Sequence, residues 1–253
     1  TGSPRRGNPH PRLLRITEQN GLINALGFPN KGLDQIQMRL TSRFPSKKTP
    51  KVISVSGNSI DEIVRCHRSI EPLADGIEVN ISSPNTSGLK IFHKSETLSA
   101  LLGQINDKRN KPLFVKLPPF GSSNTGSEEG LGSDRIAKLI KVCISAGVEA
   151  LTVSNTWPVK DKRLSVKTGG ISGKPIFQDM LKMVQDVKIE VGNRASINAC
   201  GGIFTGQDAW EAIQAGATSV QLLTGLIYRG PGIVKQINHE LLQSMGYKKD
   251  STH

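Results

Sequence analysis

The sequence predicts an α/β fold, a (β/α)8 TIM-type barrel of which about six β/α units are present. Short β-rich runs alternate with amphipathic helical runs along the 253 residues, and such alternation gives parallel strands joined by right-handed crossovers. No GxGxxG motif follows an early strand, which disfavours an open dinucleotide-binding sheet. Glycine-rich turns at 200–202 and 224–225 follow the last two strands, where barrels often bind phosphate.

The strands and helices are predicted from periodicity. Mostly continuous apolar runs indicate strands buried on both faces of a parallel sheet. These runs are 51–56, 76–82, 113–117, 150–154, 195–199 and 219–223. Apolar residues at helical spacing predict helices at 60–70, 134–146, 176–187 and 208–215. Ser59 and Asp61 are candidate N-caps of the first helix, and Asp208 is the candidate N-cap of the last.

The chain is predicted to form a single domain over residues 1–253, because no linker and no internal repeat interrupts the β/α alternation. A closed barrel needs eight strands and six are visible, so the sequence is expected to lack the first two. Residues 1–14, rich in Pro, Gly and Arg, are predicted to be a loop. Residues 121–132 have low complexity and are predicted to form a surface loop.

Composition excludes several classes of function. The net charge is +12, but the charges are scattered without interleaved aromatic residues, which favours a solvated basic surface over nucleic-acid binding. The three cysteines, Cys66, Cys143 and Cys200, form no CxxC pair. They disfavour a disulfide framework or a metal site and indicate a reducing compartment. Cys200, in an apolar strand pattern, is predicted to be a small core residue rather than a nucleophile.

The sequence shows no apolar run long enough to span a membrane and no signal peptide. It begins with Thr rather than Met, so a processed or truncated form is expected.

The strongest chemical signal lies at 78–88, where an apolar strand ends in a polar, turn-forming cluster. In a barrel this is the carboxyl-terminal mouth, where catalytic groups sit. Asn side chains both donate and accept hydrogen bonds, so Asn80 and Asn85 suit a ligand that bears an amide or imide. A plain turn explains the same residues. Residue types alone leave both interpretations open.

Residues 79–89 (VNISSPNTSGL) resemble the active-site loop of class 2 dihydroorotate dehydrogenases almost residue for residue. The resemblance covers the chain up to about Tyr247, with further motifs in the family's order. They are 7–12 (GNPHPR), 23–24, 27–28, 115–116, 155–156, 168–175 (TGGISGKP), 200–202 and 206–209 (GQDA). The resemblance implies an FMN-binding barrel that oxidises dihydroorotate to orotate in de novo pyrimidine synthesis.

The resemblance also implies roles for individual residues. Ser83 is implied as the catalytic base that takes a proton from C5 of dihydroorotate while a hydride leaves C6 for N5 of FMN. The implied substrate-binding residues are Asn24, Gly27, Phe28, Asn80, Asn85, Thr86, Asn155 and Thr156. The implied FMN-binding residues are Ser54, Asn80, Lys116, Ser154, Ser172, Gly173, Gly201, Gly202, Leu223 and Thr224. Lys116 would stabilise negative charge on the reduced ring, although a snorkelling surface lysine fits its pattern as well.

The chain departs from the family at several positions. Ser54 stands where class 2 enzymes usually carry Asn, and Leu223 where many carry Tyr. Residues 55–57 and 116–119 resemble class 1 enzymes more closely, but those usually carry Cys at the position of Ser83. Class 2 implies a quinone acceptor and peripheral association with the inner membrane, mitochondrial in a eukaryote or bacterial otherwise. The expected membrane contact is a segment preceding Thr1.

Two alternatives remain open at this point. One is a non-catalytic barrel relative that serves as a structural or interaction subunit. The missing strands, Leu223, the +12 charge and Ala25, which replaces the usual Arg, favour it. The other is a related FMN barrel that acts on a different cyclic amide. The retained Ser83 and the four matched Asn positions favour the dehydrogenase.

Overall fold

The computed structural model describes residues 1–42, 49–82, 87–121 and 130–246. The strands are β1 Leu13–Ile16, β2 Gly21–Asn24, β3 Val52–Val55, β4 Gly76–Asn80, β5 Leu113–Lys116, β6 Ala150–Val153, β7 Trp157–Lys160, β8 Thr168–Gly173, β9 Ser196–Cys200 and β10 Ser219–Gln221. The helices are α1 Leu33–Ser42, α2 Ile60–Ile70, α3 Ser95–Asn106, α4 Ser133–Ser145, α5 Phe177–Val191, α6 Gly206–Gln214, α7 Thr224–Arg229 and α8 Gly232–Ser244.

A six-stranded parallel sheet forms the centre of the fold, in the order β3-β4-β5-β6-β9-β10. The sheet curls into part of a (β/α)8 barrel, which confirms the predicted fold class. All six predicted strands are present, each within about one or two residues of its predicted ends. Strands β3 and β10 are its two edges, and Val52 on β3 is 48% exposed.

The two faces of this sheet differ, which corrects the prediction of strands that are apolar on both sides. Residues that point to the helices, such as Val79, Val115 and Val153, are fully buried at 0% exposure. Their neighbours on the inner face are polar, as Glu78 and Thr152 illustrate. Successive side chains alternate between the faces of a strand, so the core lies between sheet and helices while the barrel interior carries hydrogen-bonding groups.

A second sheet, not predicted from the sequence, is antiparallel and has the order β1-β2-β8-β7. Its central pairing joins β2 to β8, with Gly21 opposite Gly173 and Asn24 opposite Gly170. The prediction of a loop over 1–14 is therefore wrong at its end, since Leu13 opens β1. These strands are only four to six residues long and flank Gly-rich or Pro-containing segments, so local pattern gave no strand signal.

Helix starts follow their capping residues. The Oγ of Ser59 accepts a hydrogen bond from the backbone N–H of Glu62, so Ser59 is the N-cap of α2 and Asp61 lies inside its first turn. The predicted N-cap Asp208 is instead the third helical residue of α6. Thr205 is the N-cap, and the two residues form a reciprocal capping box. No helix within the described ranges is long and apolar enough to cross a membrane.

Candidate active site

A cavity of about 180 Å³ opens at the carboxyl ends of β5, β6, β9 and β10. Residues of β1, β2 and β8 close it from the other side, so the cavity lies between the two sheets. Eleven of the residues implied by the family resemblance line it. They are Asn24, Lys116, Ser154, Asn155, Thr156, Ser172, Gly173, Gly201, Gly202, Leu223 and Thr224. Residues predicted from separate motifs therefore converge on one place, at the end of the strands where barrel enzymes carry their sites.

A chain of hydrogen bonds joins the ends of β4 and β6. The Oδ1 of Asn80 accepts from the backbone N–H and the Oγ of Ser82, at 3.1 and 2.8 Å. The Oγ of Ser82 accepts in turn from Nδ2 of Asn155 at 2.8 Å. The Asn155 Oδ1 accepts from the Thr156 backbone N–H at 2.8 Å. Because both lone pairs of the Asn80 oxygen are used, this side chain can offer a ligand only its Nδ2 donors.

Ser82 is a site residue that the sequence reasoning missed. Its side chain is buried, at 1% exposure, and it orients the amides of Asn80 and Asn155 at once. The spacing of Ser82, two residues after Asn80, could have revealed it, because residues two apart in an extended segment point to the same face.

Lys116 brings a positive charge to the cavity. Asn80 on β4 and Thr152 on β6 pair with Lys116 across the sheet, and its Nζ lies 3.6 Å from the Sγ of Cys200. Burial acts to lower the pKa of the ammonium, but the Cys200 sulfur and the Glu78 carboxylate outweigh it, and the pKa is raised. Lys116 is therefore charged at the cavity wall and is no snorkelling surface residue.

Cys200 does not lie in the apolar core, which corrects the prediction made from its strand pattern. It is half-buried and lines the cavity beside Lys116. Cys200 ends β9, on the inner face that the other polar residues share.

One end of the cavity has the chemistry of a phosphate site. The hydroxyls of Ser172 and Thr224 lie 2.9 Å apart, and Thr224 opens α7, where backbone N–H groups lack partners within the helix. Gly202 has φ +71°, and a Cβ there would lie 2.6 Å from the Phe177 Cβ, so no other residue fits without displacing α5. Hydroxyls, backbone donors and the Lys116 ammonium suit an anionic, phosphate-bearing cofactor.

The remaining wall is apolar and was not predicted. It includes Leu13, Leu22, Leu26, Ile203, Leu222 and Ile227. Leu223 is 66% exposed at the cavity edge, and Leu13 is 49% exposed. An apolar wall suits the flat face of an aromatic ring system. These residues lie on the antiparallel sheet, in the loops after β2, β9 and β10, and on α7, which is why strand periodicity in the barrel did not reveal them.

Several implied site residues are not among those that line the cavity, and Asn80 at the end of β4 is one of them. Ser54 does not line the cavity, and its Oγ donates to Glu78 at 3.2 Å inside the barrel. Gly27 and Phe28 occupy a turn with φ of +71° and +58°. Backbone hydrogen bonds anchor this turn to residues 5–12, including the Asn8 N–H to the Leu26 carbonyl at 2.9 Å. Their proposed contacts with ligand stay predictions.

Three implied residues, Ser83, Asn85 and Thr86, fall outside the described residues. The loop predicted at 121–132 is described only at its ends. There the Leu131 N–H donates to the Pro119 carbonyl at 2.9 Å and the Gly121 N–H donates to the Leu131 carbonyl at 3.1 Å.

Comparison with known proteins finds similar sequences and similar structures. The sequence model of one family, described as dihydroorotate dehydrogenase, matches residues 1–245. A protein of Bordetella avium (strain 197N) named dihydroorotate dehydrogenase (quinone) is 36% identical over 249 residues, which cover 90% of this chain and 68% of that protein. A protein of the same name from Chloroflexus aurantiacus is 33% identical over 265 residues, covering 96% of this chain and 70% of the relative.

Solved structures with the same architecture come from Eimeria tenella. The crystal structure of its DHODH in complex with ferulenol superposes with a TM-score of 0.82 at 28% identity, covering 97% of this chain and 73% of that one. The ligand-free form gives the same TM-score and identity and covers 97% and 76% of the two chains.

Proposed function

We propose that this chain, which belongs to the dihydroorotate dehydrogenase family, oxidises dihydroorotate to orotate in pyrimidine synthesis, with FMN as hydride acceptor and a quinone as the final acceptor. The chain is an oxidoreductase by that membership. One observation supports the finer proposal: eleven residues implied by separate family motifs line a single cavity, and they include a cation, hydroxyls and the glycines at one end.

The residues present fit the cofactor. FMN, when bound, supplies a ring that accepts a hydride. Ser172, Gly173, Gly202 and Thr224 would hold its phosphate, because they bring hydroxyls and unobstructed backbone N–H groups to one end of the cavity. Lys116 brings a positive charge to the cavity wall, which would stabilise the negative charge that develops when the ring is reduced.

The substrate side is built from amides. Asn80 presents Nδ2 donors, which suit the carbonyl and carboxylate oxygens of dihydroorotate. Asn155 keeps one N–H and one oxygen lone pair after its bonds to Ser82 and Thr156. A buried site of this kind rejects analogues that leave its donors unpaired. We propose Ser83 as the base at C5, one residue beyond the fixed Ser82.

The acceptor and the location are proposed from the relatives. Both named relatives are quinone-dependent by name, and a quinone is a lipid-soluble acceptor. We therefore propose peripheral association with the inner membrane, mitochondrial in a eukaryote or bacterial otherwise. Fractionation of cells, followed by a salt wash of the membranes, tests this; recovery of all the protein in the supernatant before the wash contradicts it.

The visible absorption spectrum of the purified protein, before and after anaerobic addition of dihydroorotate, tests the reaction. We expect flavin bands that bleach on addition of substrate and return on addition of a short-chain quinone. Bands that bleach with dihydroorotate but do not return with quinone would contradict the quinone assignment. A protein that neither carries nor takes up FMN contradicts the proposal. Asn155→Ala should keep the bands and slow their bleaching.

A further inference from the structure

A carboxylate lies inside the barrel below the cavity. Glu78 is 6% exposed and sits on the inner face of β4, two residues before Asn80. No described lysine, arginine or histidine forms an ion pair with Glu78, and the ion pairs within the described residues involve other carboxylates. A buried carboxylate without a contacting cation is costly unless hydrogen bonds and a nearby charge compensate for it.

Three neutral side chains form hydrogen bonds with this carboxylate, and each of them lies on a different strand. Thr152 Oγ1 on β6 and Gln221 Nε2 on β10 lie 2.7 and 3.4 Å from Oε2. Ser54 Oγ on β3 lies 3.2 Å from Oε1. Glu78 therefore links β4 to both edge strands of the sheet and to β6.

The directions of these bonds indicate the protonation state of Glu78. An amide nitrogen such as Gln221 Nε2 can only donate. Thr152 Oγ1 accepts from Nδ2 of Asn198 at 3.3 Å and donates its one proton to Glu78. Asn198 is held in this orientation because its Oδ1 accepts from Ser219 Oγ at 3.1 Å. Two donors thus face Oε2 and one faces Oε1, the environment of an ionised carboxylate, which only accepts.

The positive charge associated with this buried negative charge is Lys116. Lys116 is paired in the sheet with Thr152, which contacts the Glu78 carboxylate directly, and with Asn80 on the strand of Glu78 itself. The titratable groups that act on Lys116 are Cys200 on β9 and Glu78 on β4. The carboxylate thus stands one layer below the ammonium, inside the barrel.

We propose that Glu78 is a positioning residue that holds Lys116 as an ammonium at the cavity wall and that the hydroxyl and amide network of Thr152, Gln221 and Asn198 keeps Glu78 ionised. The effect of Glu78 on the cofactor rests on the proposed function, because Lys116 is the residue that would contact the flavin. The effect on Lys116 itself does not depend on FMN.

The electrostatics agree with this arrangement. Burial by itself lowers the pKa of an ammonium, yet the pKa of Lys116 is raised, because the sulfur of Cys200 and the carboxylate of Glu78 act against burial. A neutral side chain at position 78 would remove one of the two groups that raise the pKa of Lys116, and burial would then lower this pKa further.

The test measures the titration of Lys116 directly. Lysines of the purified protein are reductively methylated with ¹³C-formaldehyde, and the Lys116 dimethylamine signal is assigned by its loss in Lys116→Met. We expect the Lys116 midpoint to fall by about 1–3 pH units in Glu78→Gln and to remain in place in the matched control Glu96→Gln. That control removes an exposed carboxylate on α3, outside the network around Glu78. Circular dichroism establishes that each variant is folded.

Two results would overturn the proposal. One is a folded Glu78→Gln whose Lys116 midpoint is unchanged. The other is a Cys200→Ala variant that lowers the midpoint as much as Glu78→Gln lowers it, because the sulfur would then be the counter-charge. Should Glu78→Gln fail to fold, Thr152→Val keeps the test decisive: loss of one donor to the carboxylate should shift the Lys116 midpoint in the same direction by less, and no shift contradicts the proposal.

FMN binding separates this proposal from the proposed function. FMN is titrated into the flavin-free protein, and binding is followed by quenching of flavin fluorescence. As the pH is raised, the affinity for FMN should begin to fall at a lower pH in Glu78→Gln than in the unsubstituted chain. The difference should vanish in the Lys116→Met background if Glu78 acts through Lys116. A chain that binds no FMN contradicts the proposed function, yet the NMR titration still decides the role of Glu78.

Discussion

The two sheets of this protein meet at one cavity but contribute different things to it. The parallel sheet supplies charge and hydrogen-bonding groups, such as Lys116 and Asn155, on strands backed by fully buried residues. The antiparallel sheet supplies mainly apolar side chains and glycines, and β1 has no buried residue. The difference indicates that the parallel sheet supplies the charge of the site, while the antiparallel sheet closes the cavity and adds Asn24, Ser172 and Gly173 to it.

Core substitutions give the largest expected contrast between the sheets. Leu151 on β6 is at 0% exposure, so Leu151→Ala should lower the free energy of unfolding by about 2–5 kcal/mol because it leaves a cavity. Val159 on β7 is only half-buried, and Val159→Ala should cost about 1 kcal/mol. Urea denaturation measures both. Equal losses would contradict this contrast between a fully buried and a half-buried position.

Removal of the charge on the parallel sheet should affect activity rather than stability. Lys116→Met is expected to lower kcat by about 10²–10³-fold, since a preorganised charge at the reacting group is lost. The exposed Lys235 on α8 provides the matched control Lys235→Met, which should retain full rate. Stopped-flow reduction by dihydroorotate measures the effect. A rate unchanged in Lys116→Met would place the electrostatic contribution elsewhere.

Gly173 ends β8 of the antiparallel sheet, at the point where this strand contacts Thr224 of α7. It has φ +92°, and a Cβ there would lie 2.9 Å from Cγ2 of Thr224. Gly173→Ala should cost about 1–3 kcal/mol of stability and weaken retention of FMN. Gly103→Ala is the control, because Gly103 lies in α3 with no heavy atom near its Cβ position. That change should stabilise the protein by about 0.5–1 kcal/mol. Thermal unfolding measures both variants. Unfolding temperatures that shift in the same direction in Gly173→Ala and Gly103→Ala would contradict this account.

The smallest expected effect is a pH dependence from the helix layer. Burial lowers the pKa of His67 on α2, the Arg109 and Arg68 charges lower it further, and Glu71 opposes them. The folded protein thus favours the neutral ring, so the contribution of His67 to stability is present above about pH 6.5 and is lost as the pH falls towards the folded-state pKa. Urea unfolding of the unsubstituted chain and His67→Gln at pH 7.5 and 5.5 measures it. The pH dependence should be weaker in His67→Gln, and an equal dependence would exclude His67.

The site divides into residues that the sequence could reveal and residues that it could not. The motif around Asn80 and the glycine turns at 200–202 were visible because they interrupt apolar strands. The individual roles of residues such as Ser172 or Asn24 came from resemblance to a family, since their types alone fit ordinary turns. Ser82 and Glu78 escaped notice, because their importance depends on which side chains they contact.

The sequence by itself determined the six parallel strands and the predicted helices, because apolar periodicity records which face of each element is buried. Tertiary structure alone decided the antiparallel sheet, the cavity and the polar barrel interior. Gly21 pairs with Gly173, and Gln221 reaches Glu78 across a separation of 143 residues. Such contacts depend on how the strands curl and on which edges meet. A local pattern carries no information about either, since the same short polar segments would be stable as loops on a different scaffold.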